Sequence, residues 1–220
     1  MNKYLLLLLL LPVMIFAQPW QQDNAIFNPS GIPSLPFSQP RFVDLDADGD
    51  MDFFLGNTNS APLYICNIGT ATSPHFVIGE NLLANISFID AELAICADMN
   101  ADGKLDLITG GYTGLHLFLN TGTIQSPVYT EQLGYFSALE VGNNPVPDVA
   151  DVDGDGDLDL VVGLSEDGAV RVYFNTGTAS NGIFQEESMQ LIGDVGLYAY
   201  PVFCDLDNDG DQDILCGRDA

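Results

Sequence analysis

Four nonapeptides in this 220-residue chain carry acidic side chains at alternate positions. They read DLDADGDMD from Asp44, DMNADGKLD from Asp98, DVDGDGDLD from Asp151 and DLDNDGDQD from Asp205. Position 1 is Asp44, Asp98, Asp151 and Asp205; position 3 is Asp46, Asn100, Asp153 and Asp207. Position 5 is Asp48, Asp102, Asp155 and Asp209; position 9 is Asp52, Asp106, Asp159 and Asp213. Calcium is a hard cation that takes six to eight oxygen ligands, and short Asp and Asn stems suit a tight loop where Glu would overshoot. So many carboxylates in one turn repel one another unless a cation sits among them. The spacing therefore predicts about four Ca2+ sites.

The remaining positions fit that chemistry. Position 6 is glycine in every copy (Gly49, Gly103, Gly156, Gly210), as a sharp turn at positive φ requires. Position 7 is Asp50, Lys104, Asp157 and Asp211. A lysine would be fatal to a side-chain ligand but harmless to a backbone carbonyl, so this position is assigned to coordinate through its carbonyl. Position 2 is apolar throughout (Leu45, Met99, Val152, Leu206) and is expected to pack inward. A solvated acidic turn would not need the same alternation four times. An EF-hand needs Glu at position 12 and flanking helices, whereas position 12 here is Leu55, Thr109, Val162 and Cys216 in strand-like runs. The same flanks exclude dockerin-type modules, and the nine-residue period of RTX arrays is absent.

The loops recur at intervals of 54, 53 and 54 residues, so the elements that position them must recur too. Each is followed by an apolar run ending in glycine: FFLG to Gly56, LITG to Gly110, LVVG to Gly163 and ILCG to Gly217. In three copies a second run follows, LYICN to Asn67, LHLFLN to Asn120 and VRVYFN to Asn175. Next come a Gly-Thr turn and an aromatic segment around Phe76, Tyr129 and Phe184. Short β-branched and aromatic runs bounded by Gly, Asn, Ser and Pro are strands, and no segment outside the leader holds a helical apolar period. Four strands in about 54 residues make a propeller blade. The continuous apolar runs after the loops suit strands buried on both faces.

With these residues in view, the chain resembles the FG-GAP/VCBS repeat family, whose best-known members are the integrin α-subunit propellers. VADVDGDGDLDLVVGLSEDGAVRVYFNTG, from Val149 to Gly177, is similar to the family's consensus, and the likeness runs from Pro40 to Gly217. The resemblance implies an all-β propeller whose nonapeptides carry calcium, and rings of commonly seven blades. On that expectation, residues 18–220 are four blades of a larger ring, the fourth with half its strands. The Phe-Gly and Gly-Ala-Pro signatures of integrins are lacking, so the likeness is to the bacterial-type repeat. Integrin ligand binding does not carry over, and Gly217-Arg218-Asp219 is read as chance.

Composition bounds the rest. Against 31 acidic residues stand 5 basic ones, a formal net charge of -26. Such a surface repels nucleic acid and anionic lipid, and neither is an expected partner. A chain with 47% hydrophobic residues, 13 Phe and 8 Tyr is not disordered. Residues 1–17 read as a secretory signal peptide: Lys3, an apolar stretch from Tyr4 to Phe16, and Ala17 before the cleavage point. The competing membrane anchor is too short and is broken by Pro12. The mature chain is therefore expected outside the cytoplasm. Cys66, Cys96, Cys204 and Cys216 lie in apolar runs and read as buried thiols, although export permits disulfides and the pairing stays open. There is no CxxC, His75 and His116 read as isolated, and no nucleophile is recognised beside either.

The function expected is a non-catalytic extracellular binding, adhesion or scaffold module that meets a protein or glycan partner. Loops 79–93 and 132–147, with Phe88, Tyr135 and Phe136, are the candidate contact surfaces. The alternative is the propeller part of a secreted hydrolase or lyase whose catalytic domain lies elsewhere. A calcium buffer is weaker, because strand-flanked loops suit structural sites.

Overall fold

The computed structural model describes residues 39–56, 62–80 and 91–218. The leader, Phe88 and most of loop 79–93 lie outside the described residues. The chain belongs to the all-β class, in four antiparallel sheets in succession. The first sheet is β1 (Gln39–Val43), β2 (Asp52–Gly56), β3 (Leu63–Asn67) and β4 (Phe76–Ile78), paired in sequence order. The second is β5 (Ala91–Ala97), β6 (Asp106–Gly111), β7 (Gly114–Asn120) and β8 (Tyr129–Glu131). The third is β9 (Val146–Ala150), β10 (Asp159–Gly163), β11 (Ala169–Tyr173) and β12 (Met189–Asp194). The fourth pairs β13 (Tyr200–Cys204) with β14 (Asp213–Gly217). The described residues do not close a ring.

Each nonapeptide joins the first two strands of its sheet, so β1 and β2 pair from Val43↔Asp52 outward and the loop projects from the sheet end. The strands after the loops are buried along their whole length in β2, β6 and β10, as the continuous apolar runs require. β14 instead alternates between exposed and half-buried. Successive sheets pack through their first strands: β5 lies on β1 and β2, β9 on β5 and β6, and β13 on β9 and β10. The glycines that end these runs permit this approach. A Cβ on Gly110 would meet the Pro145 carbonyl, and one on Gly163 the Ala199 carbonyl. The largest core cluster lies between the second and third sheets, around Ile95, Ile108, Leu160, Val162 and Tyr173.

Three expectations need correction. Phe184 is buried but lies outside a strand; a 3-10 turn, Glu186–Ser188, intervenes and the fourth strand of that sheet begins at Met189. Position 2 packs inward at Leu45 and Met99, yet Leu206 is 65% exposed. Leu45 shares a cluster with Ala94, Leu107 and Phe118 of the following sheet, and no described sheet follows the fourth. Phe136 is no surface contact: it is buried against Tyr135 and Phe184 and fills the space between the second and third sheets.

Candidate metal centre

The four loops share one hydrogen-bond scheme, in which carboxylates hold the loop's own amides. The position 1 carboxylate accepts the position 6 glycine N–H in each copy, at 3.1, 2.8, 3.0 and 3.2 Å. The position 5 carboxylate accepts the position 7 N–H, from Asp50, Lys104, Asp157 and Asp211, at 3.0 to 3.1 Å. Glycine at position 6 has φ between 81° and 98°, as expected. Position 4 is also left-handed, at Ala47 (φ 58°), Ala101 (54°), Gly154 (77°) and Asn208 (61°). Two left-handed residues two apart curl the chain so that alternate side chains face one point.

Those side chains do converge. Asp44, Asp46 and Asp48 each bring an oxygen within 4.8 Å of the others; Asp151, Asp153 and Asp159 do the same, as do Asp205, Asp207 and Asp213. In the second loop the Asp98 and Asn100 side chains both accept the Asp102 N–H at 3.0 Å. Position 9 is the anchor. Asp52, Asp106 and Asp159 are buried; one oxygen accepts the position 2 N–H, at 3.3, 3.0 and 2.9 Å. The other accepts the N–H of Asn67 or Asn120 at the end of the third strand, or of Asn175 two residues beyond it, at 2.7, 2.7 and 2.8 Å. Burial raises the Asp106 carboxyl to about 6 despite those two amides, with repulsion from Asp102 and Asp98 adding to it.

Sequence reasoning used these asparagines only as boundary marks. Their side chains staple the next turn: the Asn67 carbonyl oxygen accepts from Gly69 and His75 N–H, that of Asn120 from Gly122 and Val128, that of Asn175 from Gly177 and Ile183. The threefold N-x-G-T recurrence was the available signal.

Position 7 holds a second feature that the sequence did not reveal. The Asp50 and Asp157 side chains are each only 7% exposed, and in each one carboxylate oxygen has no hydrogen-bond partner. Leaving a buried carboxylate oxygen unpaired is costly. Burial, then the Asp155 and Asp159 charges, raise Asp157 to about 6; burial and the charges of Asp48, Asp52, Asp46 and Asp44 raise Asp50. In the second loop Lys104 directs its ammonium to the Asn120 carbonyl at 2.7 Å and to Asp102 at 3.1 Å. Burial works against the Asp102 carboxylate, yet the bonds from Lys104 hold its pKa below the ordinary value.

His116 is not isolated. Its Nε2 lies 2.9 Å from Thr113 Oγ1 and its Nδ1 2.8 Å from Glu131 Oε1, the proton on each bond following the imidazole tautomer. All three residues face solvent, which competes for both bonds. The four cysteines are free and half-buried. On the β13–β14 hairpin Cys204 pairs with Asp213 and Cys216 with Pro201, so those two thiols are out of register.

The FG-GAP-like repeat family matches residues 98–162 and 151–216, more than half of the chain. No curated protein matches it. A run of four-stranded antiparallel sheets, each turning through an Asp-rich loop between its first two strands, defines a class of repeat proteins. This chain belongs to the FG-GAP-like repeat family.

Proposed function

We propose that the chain is part of a calcium-stabilised β-propeller that serves outside the cell as a non-catalytic binding or scaffold module. The observation that supports the calcium reading is the convergence of the loop carboxylates: Asp44, Asp46 and Asp48, then Asp151, Asp153 and Asp159, then Asp205, Asp207 and Asp213, each set bringing oxygens within 4.8 Å of one another. The residues fit the ion. In each loop positions 1, 3, 5 and 9 supply hard oxygens, and position 7 supplies its carbonyl. Calcium would offset two of the loop's negative charges and hold the first two strands of each blade together. Family membership supports a binding role, and no helix among the described residues is long and apolar enough to cross a membrane. The partner is an extracellular protein or glycan, met by the exposed turns of the blades.

Thermal melts of the purified chain in millimolar calcium and in excess chelator test the metal reading. A ligand that binds only the folded state adds about 2.7 kcal/mol at a hundredfold excess over Kd, so the midpoint rises by several degrees. Coincident midpoints would overturn it.

A second reading, distinct from a catalytic domain that lies elsewhere, places hydrolysis in this chain at the Thr113–His116–Glu131 series of hydrogen bonds. Hydrolysis of an activated ester that is lost in Thr113→Val would favour it over the binding module.

A further inference from the structure

The outer strands of the first two sheets share one backbone scheme and differ in what they present. Ile68 N–H donates to the His75 carbonyl as Thr121 N–H does to that of Val128. Gly79 N–H donates to the Tyr64 carbonyl as Gln132 N–H does to that of Leu117, and Cys66 pairs with Val77 as Leu119 does with Thr130. The two registers therefore match residue for residue. In the second sheet the Thr121 hydroxyl donates to the Val128 carbonyl at 3.0 Å and lies 3.2 Å from the Thr130 hydroxyl, with Glu131 beside them. In the first sheet Ile68, Val77 and Ile78 hold those three places, and Ile68 and Ile78 are 62% and 48% exposed. A Cβ at Gly79 would meet the Tyr64 ring, so the glycine leaves that ring its place. Tyr64, Ile68, Val77 and Ile78, with Ile124 and Pro127 from the turn after β7, line a cavity of about 340 Å3.

We propose that this cleft takes an apolar side chain from a protein segment that carries lysine or arginine beside it. The proposal rests on the binding-module reading and narrows its partner from protein or glycan to protein. A concave apolar wall binds by burying apolar surface. Sugar hydroxyls would lose water against Ile68, Val77 and Ile78 and find no partner on them. Charge fixes the sign of the neighbouring group. Exposed Glu80 also lines the cleft, no lysine or arginine does, and the chain carries a formal net charge of -26. An acidic segment, a second copy of this chain included, would be repelled.

Methyl NMR spectra of the full chain in saturating calcium read the site through Ile68, Val77 and Ile78. The probe is a pool of capped tetrapeptides, Lys-X-X-Lys, with X drawn from Leu, Ile, Phe and Trp. We expect this pool to shift those methyls, and matched Glu-X-X-Glu and Lys-Ser-Ser-Lys pools to leave them unmoved. Ile68→Thr combined with Val77→Thr restores the second sheet's polar pair, with the His75 carbonyl as a ready acceptor, so the fold and its melting midpoint should hold. Followed at Ile78, that variant should bind about tenfold more weakly. Glu80→Gln should cost about threefold and flatten the salt dependence. Equal binding by the double variant overturns the proposal. So do contacts from these methyls to residues 81–90, or shifts that follow chain concentration without peptide, because another segment or a second copy then fills the cleft. If the peptides or a pool of neutral oligosaccharides shift other residues instead, only the cleft assignment fails. If neither pool shifts any residue, the binding-module reading fails with it.

Discussion

Lys104 sets its ammonium 2.7 Å from the carbonyl of Asn120, at the loop position where the first and third copies bury a carboxylate. The second loop thus carries a cation of its own, tied to the end of β7 and to Asp102. Lys104→Met should lower the stability of the calcium-free chain by about 1–2 kcal/mol, the range for a hydrogen bond from a charged donor discounted for partial exposure. The same change should tighten calcium in that loop by removing a positive charge. Urea unfolding in chelator and calcium titration would show the two effects with opposite signs; a loss in both would contradict the assignment.

Calcium-free stability should rise on mild acidification. Asp106 and Asp157 both titrate near 6 in the fold, above the ordinary 3.8. The folded chain therefore binds protons more tightly than the unfolded one, and the unfavourable contribution at neutral pH is relieved as pH falls through that interval. Melts in chelator should give a higher midpoint at pH 5 than at pH 7. In calcium the order should reverse, because protons then compete with the metal.

Asn120→Ala should be among the most damaging single changes outside the loops. It strands the N–H groups of Gly122 and Val128. At about 1–3 kcal/mol for each stranded donor, partly recovered by water, the loss should be roughly 2–4 kcal/mol. The urea midpoint measures it, and Asn120→Asp should rescue much of the loss by restoring an acceptor.

Left-handed alanines are strained, by roughly 1–2 kcal/mol each. Ala101→Gly should therefore stabilise the chain by about 0.5 kcal/mol after the entropy that glycine adds to the unfolded state. A lower denaturation midpoint would show that Ala101 is held for a reason other than backbone shape.

The fourth loop should be the weakest calcium site. Asp213 is exposed, and although its carboxylate accepts the Leu206 N–H at 3.0 Å, no third strand among the described residues supplies the asparagine amide that its counterparts hold. Loss of such outer support commonly costs about 10–100-fold in metal affinity. Asp209→Ala should consequently shift the calcium-dependent melt less than Asp155→Ala does; equal shifts would show that the asparagine support is unimportant.

The loops, their period and the strands around them were legible because ligand chemistry and strand burial both restrict residue type. Few local structures demand Asp at alternate positions, glycine at position 6 and then a run such as FFLG, LITG or LVVG. What escaped has no such restriction. Alanine at positive φ looks like any alanine, so the turn at Ala47 and Ala101 left no mark. Phe136 fits a loop or a core equally well, and only the neighbouring Phe184 settles its place. Glu131 reaches His116 because β7 and β8 pair in a particular register, which the spacing between them does not encode, whereas Thr113 stands three residues before His116 in the preceding turn. The delayed fourth strand at Met189 follows an excursion after Phe184 that the sequence spacing did not mark.

Leu45 leaves its own sheet to join the core of the next, and Met99 does the same one repeat later. Each loop is therefore coupled to the sheet that follows it. A cation bound in one loop would steady the residue on which the next sheet packs, and by reciprocity the next sheet would steady that loop. A lesion in the first loop should loosen the second sheet as well as the first, and a lesion in the second should reach the third.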